Sequence, residues 1–394
     1  MNKTAVTNHQ YIDTNEGLIQ FYEKNKNISW LGFDTEFVGE RTYVPVLCLV
    51  QVATEHGNYL IDMLAFEDIQ PFLELITNPD ILKITHAGEN DYRLLFQQFD
   101  VLPVNVFDTQ IAAGFIGYNY PVSFQNLLQG ELKVRLDKGA AVSDWVSRPI
   151  SKKQLQYALN DVIYLEQLWK KISGKLHARK RETWVKEEFD KLQSANSYSV
   201  DRNKEFLANS MLGKINASEK LFLLRLYRWR IEMAEKKNQP KERVLQKKYI
   251  SHIVKAVKGG KNELMNNRLI PEHIVHKHHK EFTYLYEAPI NPEEQLVMDS
   301  ISKNVPVKPR IDAVMDILYL GIKIICSEQK IAPELVINRA NFKRMKWDLG
   351  YFDESLNSNW RKELLGDIVI NSIQNRTKLK VDTKGEYFGL KIIG

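Results

Sequence analysis

The chain has 394 residues, enough for two or three compact units, and its 44% hydrophobic and 26% charged residues exclude a disordered chain. No apolar run approaches the length of a membrane span, and the two cysteines, Cys48 and Cys326, are too few and too far apart for a disulfide framework or a cysteine-based zinc site. The first residues are too polar to hold a signal-peptide core, so export is not expected and a cytoplasmic setting is. The net charge of +6 hides a split. Residues 1–172 hold 14 Lys/Arg against 21 Asp/Glu, a net of −7, and the remainder hold 41 against 28, a net of +13. An acidic front suits a site that gathers carboxylates; a basic rear suits a phosphate backbone.

In chain order, Trp30 to Phe37 alternates as a strand, Val44 to Ala53 is an apolar run, and Tyr59 to Asp62 follows a His56-Gly57-Asn58 turn. Together they predict an antiparallel meander. Helical patterns at Asp68 to Ile76 and Asp91 to Phe99 then alternate with short strands at Leu82 to Thr85 and Val104 to Phe107, the rhythm of βα units in a mixed sheet. Ser151 and Gln154 have capping-box spacing and start a helical stretch running through Trp169. Beyond residue 205 no strand ladder is expected. Residues 214–288 are helical and basic, and Ala288-Pro289-Ile290-Asn291-Pro292 is a stiff connection into a last helical segment.

Asp34 and Glu36, two apart in a strand, project from one face, and two acids among Leu31, Phe33 and Phe37 require a cation or donors to neutralise them. Asp91 falls in the first turn of a helix, where the dipole favours an acid for purely structural reasons. Tyr157 and Asp161, four apart on a helix, share one face. Each pair has an ordinary surface reading when taken alone. Asp108 is expected to fix the start of the following helix. Lys236, Lys237, Lys241, Arg243, Lys247 and Lys248 stand near Tyr227, Trp229 and Tyr249, a mixture that suits single-stranded nucleic acid, with Lys237, Lys241, Arg243 and Lys247 as candidate contacts and Trp229 as core. His273, His276, His278 and His279 are scattered around a helix axis and are not expected to bind a transition metal. The phosphate-cradling motif of a helicase engine is absent from the sequence.

Taken together, FDTEF (33–37), THAGEND (85–91), FDTQIAA (107–113), LDKGAAVSDWVSRPIS (136–151) and YALNDVIYL (157–165) resemble ribonuclease D of the DEDD exonuclease superfamily, tyrosine subgroup. LRLYRWRIEMAEKKNQPKERVL (224–245) is similar to the core of an HRDC domain, and residues 294–394, with WRKELLG at 360–366, to a divergent second copy. The resemblance implies a ribonuclease H-like α/β exonuclease domain, a mixed sheet flanked by helices, over residues 1–205. Two all-α HRDC-type domains would follow at 206–290 and 291–394. It implies a 3′ to 5′ exoribonuclease that hydrolyses RNA with two divalent ions, Mg²⁺ or Mn²⁺, and releases nucleoside 5′-monophosphates. By the same carry-over Asp34 bridges the ions, Glu36 and Asp161 complete the first site, Asp91 serves the second, and Tyr157 orients the attacking water. Glu89 and Asn90 receive no role. The expected partner is RNA with an accessible 3′ end, transfer RNA precursors above all, with no membrane and no obligate protein partner. A DNA exonuclease and a non-catalytic RNA-binding scaffold are the alternatives.

Overall fold

The alternation read in Trp30 to Phe37 becomes the central strand of a six-stranded sheet. The computed structural model describes residues 9–136, 144–199, 201–301, 309–348, 351–375, 380–382 and 389–391. Of the segments carrying the resemblance, residues 137–143 and parts of 294–394 lie outside the described residues. Strands β1 (His9–Ile12), β2 (Trp30–Val38), β3 (Val46–Thr54), β4 (Gly57–Asp62), β5 (Leu82–Thr85) and β6 (Val106–Asp108) lie in the order β1-β4-β3-β2-β5-β6. β3 and β4 are antiparallel, while β1 with β4, β2 with β5, and β5 with β6 are parallel, so the sheet is mixed as expected. The reading of the first 65 residues as strands omitted β1 and a helix, α1 (Asn15–Asn25), whose N-cap Thr14 accepts from the Gly17 N–H. Helices α2 (Gln70–Thr77), α3 (Glu89–Phe99), α4 (Thr109–Gly114), α5 (Phe124–Glu131), α6 (Lys152–Asn160), α7 (Leu165–Ala178) and α8 (Glu182–Leu192) complete this part.

Period two decides what each face of β2 does. Leu31 and Phe33 are buried, and the Phe33 ring lies 6.1 Å from Phe72 of α2 and 6.0 Å from Tyr92 of α3. On the opposite face Gly32 allows α7 to press close: a Cβ there would stand 3.1 Å from Leu165 Cδ1. Asp34 and Glu36 follow Gly32 on that same face. The predicted capping box at Ser151 is present, but the single helix expected through Trp169 is two. α6 stops at Asn160, Asp161 is its C-cap, and a turn over residues 161–164 leads into α7.

Packing divides the chain into two units, Met1–Val38, Leu47–Tyr198 and Pro306–Gly394 in one, Gly39–Val46 and Ser199–Val305 in the other. The second contains α9 (Lys204–Leu207), α10 (Ala217–Lys236), α11 (Lys241–Val244), α12 (Lys247–Ala256), α13 (Gly260–Asn266), α14 (Glu272–Glu287) and α15 (Pro292–Asp299) around Phe222, Leu226, Trp229, Ile253 and Phe282. Arg225, buried in α10, reaches the far end of this unit. It pairs with Glu294 at 2.7 and 2.8 Å and donates to the carbonyls of Leu285, Ala288 and Pro289, so the connection at 288–292 is pinned and α15 stays with the basic helices.

The last helices, α16 (Pro309–Gln329), α17 (Pro333–Val336), α18 (Arg339–Trp347) and α19 (Asn359–Asn375), share their apolar core with the sheet unit. A small hairpin, β7 (Lys380–Asp382) with β8 (Gly389–Lys391), was not anticipated. The division at residues 290/291 into a separate third domain therefore differs from the packing of the described residues. The physical reason is that α16 to α19 bury Met315, Ile322, Val336 and Trp360 in a core they share with α4 and α8. Trp360 meets Phe115 with ring centroids 4.9 Å apart, Arg181 donates to the carbonyls of Phe115 and Gln329, and Ala332 N–H donates to the Gly114 carbonyl. Arg361 ties the arrangement together: it pairs with Glu188 of α8 at 2.8 Å and donates to the carbonyls of Leu335 and Val336. Removing one partner of a nearly buried pair leaves the other desolvated. Arg361→Met is thus expected to destabilise the sheet unit by about 3 kcal/mol, read as a lower urea midpoint; an unchanged midpoint would detach α19 from that unit's stability.

Candidate active site

Asp34, Glu36 and Asp161 converge, each offering a carboxylate oxygen within 4.8 Å of the others. Among the described residues this is the one group of acidic, histidine or cysteine side chains gathered closely enough to hold a metal. β2 supplies the first two acids. Asp161 arrives from the end of α6, where the chain turns into the α7 helix that Gly32 admits.

Asp91 approaches from the first turn of α3 and is buried. Its carboxylate accepts from the hydroxyl of Thr35, the residue between the two strand acids. Asp91 lies outside the three-acid group yet is close enough to raise the pKa of Asp34 and Glu36. The helix dipole is only part of its setting, because a buried neighbour, Asp108, holds the turn before it. One Asp108 oxygen accepts from the N–H groups of Gln110 and Ile111 at the start of α4, as expected of a cap. The other accepts from Gly88 N–H at 2.8 Å, the N-cap of α3. Gly88 is packed so tightly that a Cβ would meet Thr85 Oγ1 at 2.6 Å, and Ala87 before it adopts φ of 60°. Glu89 and Asn90 point to solvent, and Glu89 pairs with Arg93.

Tyr157 stands on α6 beside Asp161, with the Trp145 ring 6.3 Å away. Thr35 and Trp145 are the two neighbours that sequence reasoning missed. Thr35 carried a faint signal, a hydroxyl between two acids, and Trp145 carried none beyond its place in the recognised segment.

Electrostatically the cluster is unbalanced in the metal-free chain. Burial, then the charges of Asp91, Asp161 and Glu36, hold Asp34 well above the usual carboxylate range. Burial followed by Asp161 and Asp91 pushes Glu36 up to about 8. Burial raises Asp91 to about 7 against the Thr35 hydrogen bond, and Asp161 to about 7 against one from Tyr157. Burial and the acids beside it also raise Tyr157, so its hydroxyl keeps its proton at neutral pH. Hard carboxylate oxygens clustered with their charges mutually uncompensated are the donor set that a divalent ion such as Mg²⁺ or Mn²⁺ fits.

The candidate nucleic-acid contacts lie in the other unit and fare differently. Lys241 and Lys247 both pair with Glu205, which also meets the buried Arg230. Lys237 and Arg243 are exposed. Trp229 is core, its ring 5.0 Å from buried His278; His279 bonds to the Val275 carbonyl, and His273 and His276 are exposed.

A family model describing 3′-5′ exonucleases matches residues 9–177, the stretch that supplies all four acids and Tyr157. Ribonuclease D of Bartonella henselae is 28% identical over 348 residues, 86% of this chain and 84% of that protein. Ribonuclease D of Jannaschia sp. is 34% identical over 242 residues, 59% of this chain and 62% of that one. The crystal structure of Escherichia coli RNase D, described as an exoribonuclease involved in structured RNA processing, superposes with a TM-score of 0.82 at 25% identity, covering 94% of this chain and all of that one. The likeness runs through the helical segments as well as the sheet, so the chain is similar to ribonuclease D over most of its length, and its activity is that of a 3′-5′ exoribonuclease.

Proposed function

We propose that the chain trims structured RNA, transfer RNA precursors above all, from the 3′ end by divalent-metal-assisted hydrolysis that releases nucleoside 5′-monophosphates. The observation that carries this reading is the convergence of Asp34, Glu36 and Asp161 within 4.8 Å, with Asp91 behind them. The structured-RNA processing ascribed to the E. coli relative supports the substrate class. No helix of the described residues is long and apolar enough to cross a membrane, in keeping with work on RNA in the cytoplasm.

In this reading Asp34, Glu36 and Asp161 would hold a divalent ion, and Asp91, buried beside them, would help to hold a second. Two bound ions would supply Lewis-acid stabilisation of the attacking and leaving oxygens and ease deprotonation of the attacking water. The chain's own groups orient. Tyr157, kept protonated by its surroundings and hydrogen-bonded to Asp161, would orient the water for in-line attack on the terminal phosphorus. The P–O3′ bond breaks, and the released 3′ oxygen takes a proton to become the new terminal hydroxyl. Lys237, Lys241, Arg243 and Lys247 are proposed to follow the RNA backbone, with Lys237 and Arg243 the more available because Glu205 engages the other two. The wider charge supports them: residues 243–280 hold nine Lys/Arg against two Asp/Glu, a net of +7.

Purified protein with 5′-labelled single-stranded RNA is expected to yield a ladder shortening by one nucleotide at a time with Mg²⁺ or Mn²⁺ and none with chelator; intact RNA under both metals would overturn the reading. Asp34→Asn is expected to abolish turnover and leave RNA binding in place. A stability measurement tests the same cluster without catalysis. Glu36, Asp91 and Asp161 have folded-state pKa values raised above the ~4 of an unfolded carboxyl. Their contribution is therefore fully present below about pH 4 and is lost as pH rises through about 7 to 8. Mn²⁺ should accordingly raise the Tm more at pH 8 than at pH 6, and Asp34→Asn should remove most of that rise. An equal Mn²⁺ effect at the two pH values would count against the acids as its site. For the backbone contacts, the double change Lys237→Ala with Arg243→Ala should weaken RNA binding and reduce the salt slope by roughly 1.4, two single-strand phosphate contacts. An unaltered slope would place the RNA elsewhere.

A further inference from the structure

The segment that leads into α6 is braced by one side chain. All the N–H groups of Arg148 point at acceptors. Nε and Nη2 grip the two oxygens of Asp62 on β4 at 2.6 Å each, and Nη2 also donates to the Cys48 carbonyl on β3. Nη1 turns back to the carbonyls of Trp145 at 2.7 Å and Ser147 at 3.1 Å. Asp62 is held from its other sides by the Tyr11 hydroxyl at 2.6 Å and the Leu64 N–H, so the anchor itself is fixed. The rest of the arch is closed by its own residues. Asp144 accepts from the N–H groups of Val146 and Ser147, and its carbonyl accepts from Gln154 of α6.

The arch's buried contact is Trp145, 3% exposed, whose indole faces the Tyr157 ring. Tyr157 is held besides by its own helix and by the hydrogen bond its hydroxyl donates to Asp161, and Trp145 is the ring that packs beside it. A phenol ring rotates about two side-chain torsions, so the place of its hydroxyl depends on what packs against the ring.

We propose that Arg148 is a positioning residue for Tyr157: by locking residues 144–150 onto β3 and β4 it presses Trp145 against the tyrosine ring and sets the direction of the hydroxyl. This rests on the role given to Tyr157 above. Lysine keeps the charge but has no planar fork, and one ammonium cannot bond Asp62 bidentately while reaching both the Cys48 and Trp145 carbonyls.

The test is a double-mutant cycle on the full chain, with kcat, KM and Tm measured for wild type, Arg148→Lys, Tyr157→Phe and the double variant. Arg148→Lys is expected to lower kcat about tenfold with KM for RNA within about twofold, the signature of a misdirected group rather than lost binding. In the Tyr157→Phe background the same change should have almost no effect on kcat, while its effect on Tm is the same in both backgrounds. A purely structural brace would lower kcat by an equal factor in both backgrounds, and that result overturns the proposal. Should Arg148→Lys fail to fold, Trp145→Leu, which leaves the arginine fork untouched, takes its place in the cycle with the same two outcomes. Wild-type activity in Tyr157→Phe alone would instead remove the role assigned to Tyr157, and this inference with it. Absence of nuclease activity in the wild type would overturn the exoribonuclease reading itself.

Discussion

The burial of four carboxyl groups close to one another is the constraint around which the sheet unit is organised. Left to itself the chain would separate Asp34, Glu36, Asp91 and Asp161 or let water between them, because desolvating several like charges together costs several kcal/mol. The backbone prevents the separation. β2 lies at the centre of the sheet between β3 and β5 and cannot move without breaking two ladders. Gly32 lets α7 sit directly on that strand, which brings the end of α6 and Asp161 with it. Asp108 spans the start of α4 and the turn before α3, so the helix carrying Asp91 is tied to a neighbouring strand end. Burial, with the neighbouring charges added, holds these carboxyls above their usual range, so a divalent ion that neutralised them would relieve a cost already present in the fold.

A second constraint is burial. The sheet unit draws on helices that arrive at the end of the chain. α4 and α8 share a core with α16 to α19, and Arg181 and Arg361 satisfy carbonyls along the line where these elements meet. Each of these arginines has several acceptors, which is what makes so deep a guanidinium tolerable. The basic unit uses the same device with Arg225 and Arg230, whose carboxylate partners come from sequence-distant positions. Its surface charge is therefore smaller than a count of lysines and arginines suggests, because Glu205 compensates three cations at once.

The amino-acid sequence by itself determined the chemistry and most of the local structure. Strand alternation put Asp34 and Glu36 on one face, the capping box at Ser151 started α6 where expected, and the spacing of Tyr157 and Asp161 placed both at one site. These are short-range properties: the periods of strand and helix decide them from neighbours within four residues. Tertiary structure decided what depends on residues far apart in the chain. Nothing local marks Thr35 as the hydrogen-bond partner of Asp91, Arg148 as the partner of Asp62 eighty-six positions earlier, or Lys241 and Lys247 as bound to Glu205. The place of α16 to α19 was illegible for the same reason. An amphipathic helix states that it must bury a face, but only the surface left open by the other elements determines against what, and here that surface belonged to α4 and α8, far earlier in the sequence.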